Sequence, residues 1–153
     1  DPARLYALAA ATGFFSREEA EVAAELAEER LARGAASGYH FLLAEEAGEL
    51  LGFACFGPIP CTRASHDLYW IVVRPDRQGG GLGRRLLAAA EARIAATGGR
   101  RVYIDTSSRP QYAPTRAFYR ACGFHQEALL ADFYDRNDGK VIFCKVLDPT
   151  SHR

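Results

Sequence analysis

Leu-Tyr-Trp-Ile-Val-Val-Arg-Pro-Asp-Arg-Gln-Gly-Gly-Gly-Leu-Gly-Arg-Arg-Leu-Leu, residues 68–87, is the stretch on which the reading of this chain turns. Residues 68–73 are almost wholly apolar and end on polar neighbours, the pattern of a central strand buried on both faces. From Leu82 to Thr97 the period changes to that of a helix, with Leu86, Leu87, Ala90 and Ile94 on one side and Gly98-Gly99 as its stop. Between strand and helix lie Gln78, Gly79, Gly80, Gly81, Leu82 and Gly83. Glycines allow successive backbone N–H groups to point into one concavity, and a helix start adds partial positive charge there. Such a turn suits a pyrophosphate, with Arg84 available for a charge-assisted contact. A Walker loop needs Gly-Lys-Ser/Thr, which Gly83-Arg84-Arg85 does not supply, and no G-x-G-x-x-G register fits either. The glycine cluster alone is equally consistent with a turn that only packs a helix on a sheet.

Working outward, residues 3–12 read as a short helix. Ser16 and Glu19 form a capping box for a second helix running to about Arg33, with apolar Val22, Leu26 and Leu31 and a stop at Gly34. Residues 39–44 and 50–56 read as a hairpin turning near Ala47-Gly48, broken afterwards by Pro58 and Pro60. Downstream come a strand at 101–105, a short helix opening on Pro114 and stopped by Gly123, and two strands at 125–134 and 140–147. Repeats and linkers are absent, so residues 1–153 read as one domain. The order of elements predicts an α/β fold (an α+β mixed sheet) with helices on both faces.

The composition excludes several classes. Over 153 residues, 48% hydrophobic and 25% charged side chains allow one real core rather than disorder. A formal net charge of zero argues against nucleic acid as the main partner. No apolar run is long enough to span a membrane, and the first residues do not resemble a signal peptide. Cys55, Cys122 and Cys144 lie in apolar runs and Cys61 stands apart. With no C-x-x-C pair or metal-ligand spacing, free thiols, no metal and a cytoplasmic location are expected. The chain contains no Met, as a start that had been trimmed would leave it.

Residues 68–87 closely resemble the signature of the GNAT N-acetyltransferases, in which a V-x-P strand end is followed by a Q/R-x-x-G-x-G/A loop. Pro75, Gln78, Gly81 and Gly83 occupy those positions. A second stretch, Thr115-Arg116-Ala117-Phe118-Tyr119-Arg120-Ala121-Cys122-Gly123-Phe124, resembles the family's F-Y-x-x-x-G-F helix end. The resemblance covers residues 38–147 and departs at Tyr112, where Asn is frequent, and at Thr115, where Ala is usual. It also implies a further strand before Asp1.

This resemblance implies direct transfer of an acetyl group from acetyl-CoA to an amine. Residues 78–84 would hold the pyrophosphate, Ile71, Val72 and Val73 the pantetheine arm, and Thr115, Phe118 and Tyr119 would also touch the cofactor. A protonated amine, with an ordinary pKa of about 10.4, must lose a proton before it attacks, and the departing thiolate must gain one. Tyr119 matches the family's acid by its place before Gly123-Phe124, although a packing aromatic would look the same in sequence. Asp67 stands where histone-acetylating members carry a catalytic glutamate. An ordinary exposed acid at a strand start reads equally well there, and Asp105 or a relay of waters are the alternatives. For the acceptor, Phe14, Phe15, Trp70, Asp105, Asp132 and Tyr134 are the candidates. Asp132, Asp135 and Asp138 with Phe133 and Tyr134 would form an acidic, aromatic rim for a cationic amine, or would simply be turn polars. A small-molecule amine is the expected acceptor. A protein lysine or N-terminus, and a silent acyl-CoA-binding module, are the alternatives. A homodimer is left open.

Overall fold

A computed structural model describes residues 1–12 and 17–147. The elements are α1 (Pro2–Ala11), α2 (Arg17–Arg33), β1 (His40–Glu46), β2 (Glu49–Pro58), β3 (Ser65–Val73), α3 (Leu82–Ala96), β4 (Arg101–Ser107), α4 (Ala113–Ala121), β5 (His125–Asp135) and β6 (Asp138–Val146). They form the expected mixed sheet, six strands in the order β1-β2-β3-β4-β6-β5, with the helices flanking it. The chain divides into two compact units that share β3. One comprises residues 1–58 and 68–93, the other residues 59–67 and 94–153.

In the first unit β1 and β2 form the hairpin, turning through Ala47 and Gly48 at φ 53° and 81°. Two positive φ values in succession match the right-handed twist of the strands. Phe53 and Val72 pack with Leu5 and Leu8 of α1 and with Ala23 and Ala27 of α2, while Trp70, half-buried, packs against the same cluster. On the opposite side of β2, a Cβ on Gly52 would lie 2.8 Å from the Val72 carbonyl and 3.0 Å from Leu86 of α3. Successive strand residues face opposite ways, so α1 and α2 cover one face here and α3 the other.

Two expectations fail in this unit. Val22 and Leu31 are 45% and 71% exposed, and the core face of α2 is the small pair Ala23 and Ala27. Helices meeting through alanines approach closely, so burial there follows the smaller side chains rather than the larger ones. Residues 68–73 are not buried on both faces either: Leu68 and Val72 are buried, Tyr69 is exposed, and Trp70, Ile71 and Val73 are intermediate.

In the second unit β4 pairs antiparallel with β6, and β5 follows at the sheet edge, almost entirely exposed. The start of β3 joins β4 in a parallel ladder of Ser65, His66 and Asp67 with Arg101, Val102 and Tyr103. Gly123, at φ 95°, ends α4. The capping box at Ser16 and the loop residues Phe14 and Phe15 lie outside the described residues or side chains.

Candidate active site

After β3 a single 3₁₀ turn, Pro75–Arg77, leads into the glycine turn. Gly79 and Gly81 stand at φ 84° and 86°, a conformation that L-residues with a side chain rarely adopt, whereas Gly80 does not. The Gln78 side chain donates from Nε2 to the Val73 carbonyl at 3.0 Å, tying the turn back to the end of β3. The first bond of the helix is Arg85 N–H to the Gly81 carbonyl at 3.0 Å. The N–H groups just before it are the unsatisfied donors that every helix start carries. Around Gly80, a Cβ would meet only the Arg77 carbonyl at 3.7 Å, so the turn is open to solvent. Arg84 and Arg85 are exposed beside it. An open turn of this backbone make-up fits a phosphate-bearing cofactor.

The acidic side chains of the second unit sit differently. Asp67 is half-buried at the third position of β3. Burial, reinforced by the charge of Asp105, pushes its carboxyl above the ordinary value, against an opposing pull from Lys140. Lys140 Nζ lies 3.3 Å from Asp105 Oδ2 and 4.6 Å from the centroid of the Phe133 ring. Asp67, Asp105, Lys140 and Phe133 thus form one electrostatically coupled group. Lys140 was not singled out in the sequence. It stands opposite Ser107 while Asp105 stands opposite Ile142, so the contact is a diagonal across the β4–β6 ladder, visible only once the register is known.

Tyr119 is buried in α4 with ring centroids of Phe118, Phe143 and Phe124 at 5.6, 5.8 and 6.0 Å. Burial, and secondarily Cys122, raises its phenol above the ordinary value, so it is protonated at any working pH. Thr115 and Phe118 are half-buried on the same helix. The rim residues separate by role. Asp132, at φ 54°, accepts the Asn137 N–H at 2.9 Å, Asp135 accepts the Arg136 N–H at 2.7 Å, and Asp138 is hydrogen-bonded to the Ser107 hydroxyl. Phe133 and Tyr134 are exposed, edge to face at 5.2 Å. Asp132 thus closes the turn, and Trp70 packs on the α1–α2 core. Among the described residues no group of His, Cys, Asp and Glu able to hold a metal is found, and no helix is long and apolar enough to cross a membrane.

The model of the acetyltransferase (GNAT) family matches residues 3–124. A solved GNAT-family chain from Desulfovibrio desulfuricans is 47% identical, with 95% of this chain and 92% of that one covered and a TM-score of 0.94. An aminoglycoside 6'-N-acetyltransferase solved with coenzyme A shares the fold at 20% identity, covering 97% and 91% of the two chains with a TM-score of 0.76. Among curated proteins, a mycothiol acetyltransferase of Streptomyces bingchenggensis is 36% identical over 75 residues, 48% of this chain. The chain spans about a quarter (24%) of that relative's length.

Proposed function

We propose that this chain, which belongs to the acetyltransferase (GNAT) family and is thereby an acyl-CoA-dependent transferase, moves the acetyl group of acetyl-CoA directly to the primary amine of a small molecule. The observation that carries the choice of acceptor is the coupled group of Asp67, Asp105, Lys140 and Phe133. A carboxylate with a raised pKa takes a proton from an ammonium more readily than an ordinary one. The aminoglycoside acetyltransferase that shares the fold acts on an amine of that kind.

In this reading Gly79, Gly80, Gly81, Leu82, Gly83 and Arg84 hold the pyrophosphate through backbone donors and one guanidinium. Gln78 acts by fixing the turn to Val73. Residues 71–73 offer backbone groups to the pantetheine. Asp67 accepts the proton of the amine, directly or through one water, and Tyr119 returns a proton to the departing thiolate. The same burial that raises the phenol raises the proton affinity of a thiolate sharing its surroundings, so donation remains feasible. The test is coenzyme A release with purified protein, acetyl-CoA and a panel of aminoglycosides, polyamines, aminothiols and peptides with free N-termini. Turnover of a small cationic amine well above every peptide is expected. Preference for a peptide would replace the acceptor class, and no turnover with saturable acetyl-CoA binding would make the chain a silent binding module.

A further inference from the structure

A second basic site lies in the other unit, away from the glycine turn in sequence. An open groove of about 380 Å³ is lined by Arg63, Ala64, Ser65, Arg100, Arg101 and Val146. Its floor is a row across three strands, because Ser65 stands opposite Arg101 and Arg101 opposite Val146. Its rim is fixed by backbone: the Arg100 and Arg101 N–H groups donate to the Ala64 carbonyl at 2.8 and 3.2 Å, and the Leu147 N–H donates to the Arg100 carbonyl at 2.7 Å.

Among the described residues the groove's lining includes three arginines and no acid. Four arginines elsewhere are ion-paired: Arg4 with Glu45, Arg33 with Glu29, Arg74 with Glu49 and Asp76, Arg77 with Glu46. Arg116 donates instead to the carbonyls of Ser107 and Arg109. Among the described residues no ion pair is found for Arg63 or Arg100, and Arg101 interacts with the Cys144 sulfur, at 3.9 Å, and with Tyr103. In a chain of zero net charge this concentration of like charge is local. Three cations gathered around a concave floor raise the potential there and favour an anion of matching charge. A tetrahedral dianion accepts from several forks at once, whereas a planar carboxylate is satisfied by one. Small residues and a serine hydroxyl on the floor leave room for the group that carries the anion.

We propose that this groove binds a phosphate group carried by a small molecule, independently of the acetyl-transfer reading. The test is calorimetry and thermal denaturation with inorganic phosphate, glycerol phosphate and acetate, at ionic strength held constant with sodium chloride. The parent is compared with Arg63→Gln and with Arg63→Gln/Arg100→Gln, and far-UV circular dichroism checks their folding. Both substitutions are on exposed side chains, so folded variants are expected. Phosphate should stabilise the parent and acetate should not. The double variant should weaken phosphate binding at least ~10-fold and the single variant less, since each lost charge-assisted bond is worth about that factor. Tighter binding of glycerol phosphate marks an esterified ligand and equal binding marks free phosphate, either of which supports the site. Equal affinity in parent and variants, or protection by acetate as well, overturns it. A single-stranded oligonucleotide binding far more tightly than either phosphate, with a steep salt dependence, would assign the groove to nucleic acid instead.

Discussion

The glycine turn and the tip of the β5–β6 hairpin are both polar segments at strand ends, yet they spend their hydrogen-bonding capacity in opposite ways. At residues 79–83 the backbone is open to solvent, and the Gln78 side chain anchors the turn to Val73. At the hairpin tip Asp132 and Asp135, both exposed, cap neighbouring N–H groups, and Asp138 engages Ser107. A binding seat therefore lies where the backbone is left unsatisfied, and charged side chains that close their own turn have little left for a ligand.

The severest way to break this comparison is Gly81→Glu, which sets a carboxylate at the seat and strains a φ of 86°. Acetyl-CoA binding should fall below detection by calorimetry in a folded protein, and unchanged affinity would remove the cofactor from this turn. The stability counterpart is finer: Gly81→Ala should cost about 1 kcal/mol for its left-handed backbone. Gly80→Ala, with a negative φ and open space, should cost much less by thermal melting.

Next in size is Tyr119→Phe, which keeps the ring among its three aromatic neighbours. A donated proton is typically worth about 10²–10⁴-fold in kcat with little change in KM. The loss should shrink with an acyl donor whose thiol is more acidic. No loss at all would leave Tyr119 as a packing residue.

Asp67→Asn should lower kcat by about 10²-fold near neutral pH and less at high pH, where the amine is already free. Stability should move the other way. A carboxyl whose folded pKa is raised stabilises the fold when protonated, and that contribution is lost as pH rises through the raised value. The asparagine variant should therefore melt higher than the parent at pH 7 while matching it at pH 3. A lower melting point at neutral pH would make Asp67 a structural acid. The smallest effect belongs to the hairpin tip: Asp132→Asn retains an acceptor for the Asn137 N–H and should change turnover by less than about 2-fold, read in the coenzyme A release assay.

What could be read in the sequence follows the same division. Residues 68–87 and 115–124 specify backbone conformations, and glycines at positive φ or a helix stop announce themselves locally. The acceptor end is built from pairings that span the sheet. Lys140 meets Asp105 only through the β4–β6 register, and Asp132 is withdrawn from the rim by an Asn137 N–H five residues away. In α2 the error had a packing cause: alanines bury when α1 comes close, which no count of large apolar residues on a helical wheel reveals. Trp70 packs against the cluster of Leu5, Leu8, Ala23 and Ala27, a contact that depends on elements distant in sequence.

The close approach at Gly52 carries a consequence for how this protein can vary. A Cβ there would crowd the Val72 carbonyl and Leu86 together, and those two atoms belong to the strand that ends at the glycine turn and the helix that begins from it. Position 52 is thus a remote tuning point for the proposed cofactor seat. Substitutions that enlarge it would shift the spacing of strand and helix without touching any residue of the turn, and a laboratory lineage selected for altered acyl-CoA use would accumulate compensations at 52, 72 and 86 together rather than within residues 78–83.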